Sequence, residues 1–133
     1  MALRQEFWQL PSLAEKALED KKYEKALFFA LKYINLNAHR ADEQQSTLKE
    51  FPTLPLYDSY SHLNTVAFCW LVVASAYAAK GEVQKALEAI DQIVNKYPFA
   101  QHWDVKKGLV KLVNMAEQKI KECANAEPIE SFV

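Results

Sequence analysis

With 133 residues, of which 50% are hydrophobic and 25% charged, the chain is long enough to bury the core of one globular domain. Its formal net charge of −1 leaves no basic surplus of the kind that nucleic acid or an anionic membrane usually requires, so we expect neither partner. Residues 1–13 include Glu6 and Pro11 where a secretion signal needs an uninterrupted apolar core, and we therefore expect a cytoplasmic protein.

The first helical pattern covers residues 10–37 and has the form of a hairpin. Ser12 followed by Glu15 matches a capping box, which predicts that the first helix starts near this point. A turn is predicted near Asp20, where the apolar period is interrupted. The apolar residues that define the two helical faces are Leu10, Leu13, Ala14 and Ala17 before the turn and Tyr23, Ala26, Leu27 and Ala30 after it.

Residues 38–60 interrupt the helical pattern. Their first half has few apolar residues and is expected to prolong the preceding helix, whereas Pro52 and Pro55 in the second half forbid a regular helix. We therefore expect a helix tail followed by an extended loop. The apolar side chains of this loop should lie against the protein rather than in water; they are Phe51, Leu54, Leu56 and Tyr57.

The clearest pattern covers residues 61–98 and predicts two amphipathic helices that are separated by Gly81 and ended by Pro98. The run from Val66 to Ala74 is apolar almost all the way round the first helix, which predicts a central helix buried on several sides. This run is shorter than the ~18 residues of a transmembrane helix. The second helix carries its apolar stripe on Val83, Ala86, Leu87, Ile90, Ile93 and Val94.

After Pro98, residues 99–124 are predicted to form one capping helix with lysines opposite an apolar stripe. An array of helical hairpins needs such a terminal element, because its last hairpin would otherwise expose its stacking face. Residues 127–133 have no periodicity and contain the helix-breaking Pro128, so we expect a flexible tail. The stripe of the predicted capping helix is Leu109, Leu112, Val113, Ala116, Ile120 and Cys123.

The hairpin over residues 61–98 resembles one tetratricopeptide repeat (TPR). The residues that carry the resemblance are Trp70-x2-Val73-Ala74-x2-Tyr77, then Ala86-x3-Ile90, and then Pro98. Val73 and Ala74 replace the usual leucine and glycine, and Ile93 stands where a small residue is common.

Superposing Ala26 on Ala86 aligns residues 10–37 with the same pattern as a degenerate repeat. The two registers lie 60 residues apart instead of the usual ~34, which makes residues 38–60 an insertion. The resemblance implies an all-α fold of antiparallel TPR-like hairpins, with about five helices and a C-terminal capping helix. We expect these to form one domain over residues 1–126.

Few residues suggest catalysis. His39, His62 and His102 are dispersed and no paired cysteine motif occurs, so no metal is expected; two glycines cannot form a phosphate-binding loop, so no cofactor is expected either. His102 and Asp104 have the composition of a catalytic pair, but polar residues at a helix start explain them more simply. Cys69 lies in the apolar run and is expected to be buried and inert.

In TPR proteins the first helix of each hairpin lines a concave groove. The resemblance therefore implies a groove face on residues 61–79, and TPRs that hold a chaperone's C-terminal carboxylate carry lysine, asparagine and arginine on this face. Here the face is apolar, so we expect a non-enzymatic interaction module (adaptor, scaffold or chaperone-like) that binds a peptide or helix of a partner protein. The expected groove residues are Phe68, Leu71, Ser75 and Ala78.

The alternative is a self-assembling structural subunit such as a homodimer, since fewer than three repeats bury little surface alone. An enzyme is the third and least favoured possibility. We further expect the loop residues Phe51, Leu54, Leu56 and Tyr57 to fill part of the groove around Phe68 and Leu71, because loop and groove are both too apolar to stand in water. A partner would then have to displace the loop.

Overall fold

The computed structural model describes the backbone of residues 2–130 and the side chains of residues 8–54 and 56–123. This part of the chain is mostly helical, as predicted, but it also contains a small β-hairpin. A 3₁₀ helix, Leu54–Tyr60, precedes the third α-helix, and a π-helical turn, Gln92–Lys96, follows the fourth. The elements in chain order are α1 (Ala2–Glu19), α2 (Tyr23–Ser46), α3 (Ser61–Ala79), α4 (Val83–Asp91), β1 (Gln101–Asp104), β2 (Gly108–Lys111) and α5 (Leu112–Glu130).

The hairpins α1–α2 and α3–α4 turn by the same hydrogen bond. The backbone N–H of Lys22 donates to the carbonyl oxygen of Ala17 over 2.8 Å, and the N–H of Glu82 donates to that of Tyr77 over 2.9 Å. A bond of this span closes the Schellman type of helix end. Because both donors and both acceptors are 60 residues apart, the two hairpins have the register that the sequence predicted.

The residue before each of these donors has a left-handed backbone. Gly81 adopts φ +83°, a conformation that costs glycine nothing, whereas Lys21 adopts φ +61°, where a side chain costs roughly 1–2 kcal/mol. The second turn is therefore marked in the sequence by its glycine. The first is marked only by the loss of apolar periodicity.

Helix α3 lies at the centre of the molecule, in contact with α1, α2, α4, α5 and β1. This confirms the prediction of a central helix buried on several sides. By length and composition alone, the stretch Leu56–Ala79 is also apolar enough to cross a membrane. However, half of its most apolar part is buried inside the protein, and the core helices of soluble proteins have the same length and composition. The buried apolar residues of α3 are Leu63, Val66, Ala67, Cys69, Leu71, Val72, Val73, Ala74 and Ala76.

Helix α2 runs to Ser46, which confirms the predicted helix tail, but the extended loop predicted after it is wrong over Leu54–Tyr60, which form a 3₁₀ helix. Its last turns hold the segment that leaves the second hairpin. The hydroxyl of the buried Tyr97 donates to a carboxylate oxygen of Asp42 over 2.6 Å, and the backbone N–H of Phe99 donates to the side-chain oxygen of Gln45 over 3.2 Å. Burial, followed by the bond to Asp42, raises the pKa of Tyr97. The tail thus anchors the end of the second hairpin.

The prediction of one capping helix over residues 99–124 is wrong in its first half. β1 and β2 form an antiparallel hairpin there, and α5 begins only at Leu112. The hairpin turn is made by the carboxylate of Asp104, which accepts the backbone N–H groups of Lys106 and Lys107 over 2.8 and 2.9 Å, and by the left-handed Gly108. Local bonds of this kind override an apolar stripe that also fits a helix.

Two predicted boundaries also differ. α1 already begins at Ala2, so the predicted helix start at Ser12 is wrong, and Pro11 and Ser12 both lie inside this helix. α5 continues to Glu130, past Pro128, so the first four residues of the predicted tail are helical. An interior proline removes one backbone hydrogen bond and need not end a helix. Residues 131–133 of the predicted tail lie outside the described residues.

Candidate functional site: a cleft between α3, α5 and the β-hairpin

A cleft of about 710 Å³ opens between α3, β2 and α5, and its volume lies within the range of known ligand sites. Leu71 and Ser75 of α3, two of the four predicted groove residues, line it. The other walls combine apolar, amide and charged side chains. They are formed by Lys107, Leu109, Val110 and Lys111 of the hairpin and by Asn114, Met115, Gln118, Lys119 and Glu122 of α5.

The other two predicted groove residues lie outside this cleft. The Phe68 ring stacks on the imidazole of His102, with ring centroids 4.8 Å apart and planes inclined by 14°. β1 therefore covers the part of the α3 face that holds Phe68. Ala78 is half-buried and does not line the cleft. The structure thus brings Leu71 and Ser75 together with α5 and separates them from Phe68 and Ala78.

The structure does not place the insertion loop in the groove, which corrects that prediction. Phe51 packs edge-to-face on Phe99, with ring centroids 5.2 Å apart, and Leu54 and Leu56 are about half exposed, at 56% and 50%. None of the described side chains that line the cleft comes from residues 47–60. The reason is competition: the β-hairpin, which the sequence did not predict, occupies the α3 face instead.

The outer edge of β1 is closed by side chains from the start of α3 and the segment before it. The buried Asn64 accepts the backbone N–H of Gln101 over 2.8 Å. Burial raises the pKa of Tyr57, and a backbone hydrogen bond with Trp103 partly offsets this rise. Asn64 also donates its amide to the Tyr57 carbonyl oxygen over 3.3 Å. The outward N–H of Gln101 therefore has a protein acceptor, and Tyr57 lies beside the edge at Trp103.

The outer edge of β2 faces the cleft. The N–H of Leu112 donates to the Ala100 carbonyl oxygen over 3.1 Å, and hydrogen-bonded pairs alternate along an antiparallel ladder. It follows that Val110 bonds to β1, whereas the N–H groups of Leu109 and Lys111 point away from it. Residues 109, 110 and 111 all line the cleft. Because successive side chains point to opposite faces of a strand, all three can do so only if the edge of β2, and not one of its faces, is turned towards the cleft.

The charges around the cleft are mostly positive. The described side chains that line it include three lysines and one carboxylate, in a chain whose formal net charge is −1. The Lys119 ammonium lies 2.8 Å from the carboxylate of Glu122, and the Lys111 ammonium lies 4.3 Å from the centre of the Phe51 ring. Lys107 is exposed at the end of the hairpin turn. The cleft therefore favours an anionic ligand with some apolar surface.

The residues that the sequence suggested for chemistry have structural roles. His102 stacks on Phe68, while Asp104 holds the hairpin turn, where the N–H groups of Lys107 and Lys106 lower the pKa of its carboxyl. Burial raises the pKa of Cys69 to about 12, so its thiol stays protonated at neutral pH. Among the described side chains, no group of three His, Cys, Asp or Glu residues is placed to hold a metal ion.

Sequence reasoning missed the β2 and α5 walls of the cleft, including Lys107, Lys111 and Met115. The available signal was an aspartate followed four residues later by a glycine, between two short apolar-containing runs, which is a hairpin signature. Compared with models of protein families, with curated proteins and with solved structures, the chain matches none of them. The support for a function therefore comes from this geometry.

Proposed function

We propose that this protein is a non-enzymatic, TPR-like interaction module that binds a segment of a partner protein in the cleft between α3, α5 and the β-hairpin. The observation that carries the proposal is the open cleft of about 710 Å³ beside Leu71 and Ser75. In a TPR-like array, α3 would be the first helix of the second repeat, and α5 would take the equivalent place after it. The cleft then corresponds to the groove between successive first helices.

The composition of the cleft supports binding more than catalysis. Among its described lining residues are apolar side chains, amides, a hydroxyl, lysines and one carboxylate that pairs with Lys119, but no histidine or cysteine. Apolar surface supplies affinity, and a few polar groups orient a ligand. Catalysis of acyl or phosphoryl transfer would instead need a nucleophile beside a base. We therefore propose an adaptor or scaffold.

The test uses Ser75→Trp, which places a large ring in the middle of the cleft wall, and Asn35→Trp, which adds the same ring at an exposed position of α2. Peptides are selected from a random phage-displayed library on the parent protein, and their affinities are measured by fluorescence anisotropy. We expect Ser75→Trp to weaken binding at least about tenfold and Asn35→Trp to leave it within about twofold. Circular dichroism checks that both variants are folded. Selected peptides that bind all three proteins equally would contradict the proposal.

Exposed apolar residues favour a self-assembling subunit as a second candidate. Trp8 is 81% exposed, Phe28 58% and Leu36 46%, all on the first hairpin. A second copy of the chain packed on this hairpin would remove these side chains from water. Sedimentation of the parent and of Phe28→Ser tests this function: a dimer that dissociates in the variant supports it, and a monomer at high concentration contradicts it.

A further inference from the structure

We infer that the ligand of the cleft is an acidic segment in extended conformation, which pairs with the free edge of β2 and adds a third strand to the hairpin. This inference rests on the proposed function and specifies its ligand. It depends on three observations: the two edges of the hairpin differ, the open edge faces the cleft, and the cleft is basic.

The outer edges of β1 and β2 differ in what covers them. On β1, the outward N–H of Gln101 is bound by the buried Asn64, and Tyr57 lies against the same edge at Trp103. On β2, the outward N–H groups belong to Leu109 and Lys111, and within residues 2–130 this strand pairs with β1 alone. Proteins usually cover or block strand edges that are not meant to pair. Here the fold covers one edge with side chains and leaves the other open at the cleft.

The open edge of β2 is long enough to pair with a short added strand. Residues 108–111 extend over roughly 10–13 Å at about 3.3 Å per residue, which is room for three or four residues of an added strand. The N–H of Leu109, its carbonyl oxygen and the N–H of Lys111 would pair with the ligand backbone. Recognition by strand addition draws affinity from such main-chain bonds and specificity from alternate side chains. Leu71 and Met115 offer an apolar surface for one set of those side chains.

The positive charge of the cleft lining favours an acidic ligand. Lys107 and Lys111 belong to the hairpin and Lys119 to α5, and Glu122, the acidic residue among the described lining side chains, already pairs with Lys119. Carboxylates on the ligand would reduce the repulsion among these lysines. The same lysines disfavour a second copy of β2, because antiparallel pairing of two such strands would bring like charges together. The ligand is therefore an acidic partner segment and not this chain's own hairpin.

The first experiment uses a fluorescent hexapeptide of alternating glutamate and valine with the full chain. Two further versions carry N-methyl groups on one or the other set of alternate amides, and a fourth replaces every glutamate by lysine. In an extended strand, alternate amides face opposite edges. We expect one methylated version to bind at least about tenfold more weakly, the other to stay within about threefold, and the lysine peptide to bind at least about tenfold more weakly.

Hydrogen exchange measured by NMR locates the pairing on the protein. On addition of the glutamate–valine peptide, the amides of Leu109 and Lys111 should become protected, because they gain acceptors. The amide of Val110, which already bonds to β1, should change little. Equal protection of all three amides, or of none, would overturn strand addition.

A charge reversal tests the role of the lysines. Lys107→Glu should weaken binding of the glutamate–valine peptide at least about fivefold, whereas Lys25→Glu, an equal charge change at an exposed position of α2, should leave it within about twofold. Equal effects of the two substitutions would show only general electrostatics and overturn the inference. A short oligothymidylate that competes as well as the peptide would overturn it too, because it would show a general polyanion site.

The outcomes separate this inference from the proposed function. If library-selected peptides are blocked by Ser75→Trp but tolerate methylation of either amide set, the binding function stands and the extended mode is wrong. If the glutamate–valine peptide does not bind while other peptides are blocked by Ser75→Trp, the acidic strand is wrong and the cleft remains a binding site. If no selected peptide responds to Ser75→Trp, the proposed function itself fails.

Discussion

The two helical hairpins of this protein share their local structure and differ in their surroundings. Both turn by the same hydrogen bond, between residues 22 and 17 in α1–α2 and between residues 82 and 77 in α3–α4. Both place fully buried alanines at equivalent positions, Ala14 and Ala26 in the first and Ala74 and Ala86 in the second. Small residues at these positions let two helices approach closely.

The difference lies in the other faces of the helices. Leu13 is 40% exposed, whereas Val73, its equivalent 60 residues later, is 1% exposed. α3 contacts α1, α2, α4, α5 and β1, while α1 contacts mainly α2 and α3. Short-range sequence therefore determines how each hairpin turns, whereas the position of the hairpin in the fold determines how many faces of its helices are buried.

The largest expected effect comes from breaking the close helix contact in each hairpin. Ala26→Trp and Ala86→Trp should each destabilise the protein by at least about 3 kcal/mol, because the alanines are fully buried and have no room for an indole ring. Chemical denaturation followed by circular dichroism measures both. The exposed Asn35→Trp is the matched control and should change the free energy of unfolding by less than about 0.5 kcal/mol. A difference between the two hairpins, with one variant as stable as the control, would contradict their equivalence.

A smaller effect tests the difference in burial. Val73→Ala should cost about 2 kcal/mol, because it leaves a cavity in the centre of the fold. Leu13→Ala removes a larger group but should cost less than about 1 kcal/mol, because much of that side chain is already in water. Thermal melting of the two variants gives the order. If Leu13→Ala proved the more destabilising, α1 would have a neighbour that the structure does not show.

The smallest effects come from exchanging the turn residues. Gly81→Ala should destabilise by about 1 kcal/mol through its left-handed backbone alone, since a methyl group there would meet nothing within 4 Å. Lys21→Gly should have the opposite sign and stabilise by about 0.5 kcal/mol, because it relieves the same conformation in the first turn. Opposite shifts of the denaturation midpoint would confirm that the turns are equivalent, and shifts of one sign would contradict it.

The sequence could predict the helical elements because each carries its own signal. Gly81 marks one turn, Pro98 marks the end of the second hairpin, and the apolar period gives the faces. The sequence was ambiguous over residues 101–111, since Asp104 and Gly108 indicate a hairpin turn while Leu109, Leu112 and Val113 also fit a helical stripe. Short apolar runs are compatible with strand and helix alike, and here the Asp104 turn and the covered β1 edge favour the strand.

The residues of the candidate site also fall into two groups, those that the sequence could predict and those that it could not. Leu71 and Ser75 could be predicted because they lie on one face of a helix that the sequence identifies. The loop residues Leu54 and Leu56 were predicted to fill the groove, but they are about half exposed. The sequence cannot show that β1, through His102, covers Phe68 in their place. Competition between two apolar segments for one face depends on distances in space, which local patterns do not encode.

By itself, then, the sequence determined the helices, their turns and the 60-residue register of the two hairpins, because hydrogen bonds and apolar periods within a few residues carry that information. The tertiary structure alone decided that β1 has a closed edge and β2 an open one. That outcome depends on Asn64 reaching Gln101, 37 positions away in sequence, and on α5 standing across the cleft from Leu71. Contacts at such separations form only when the whole chain is packed.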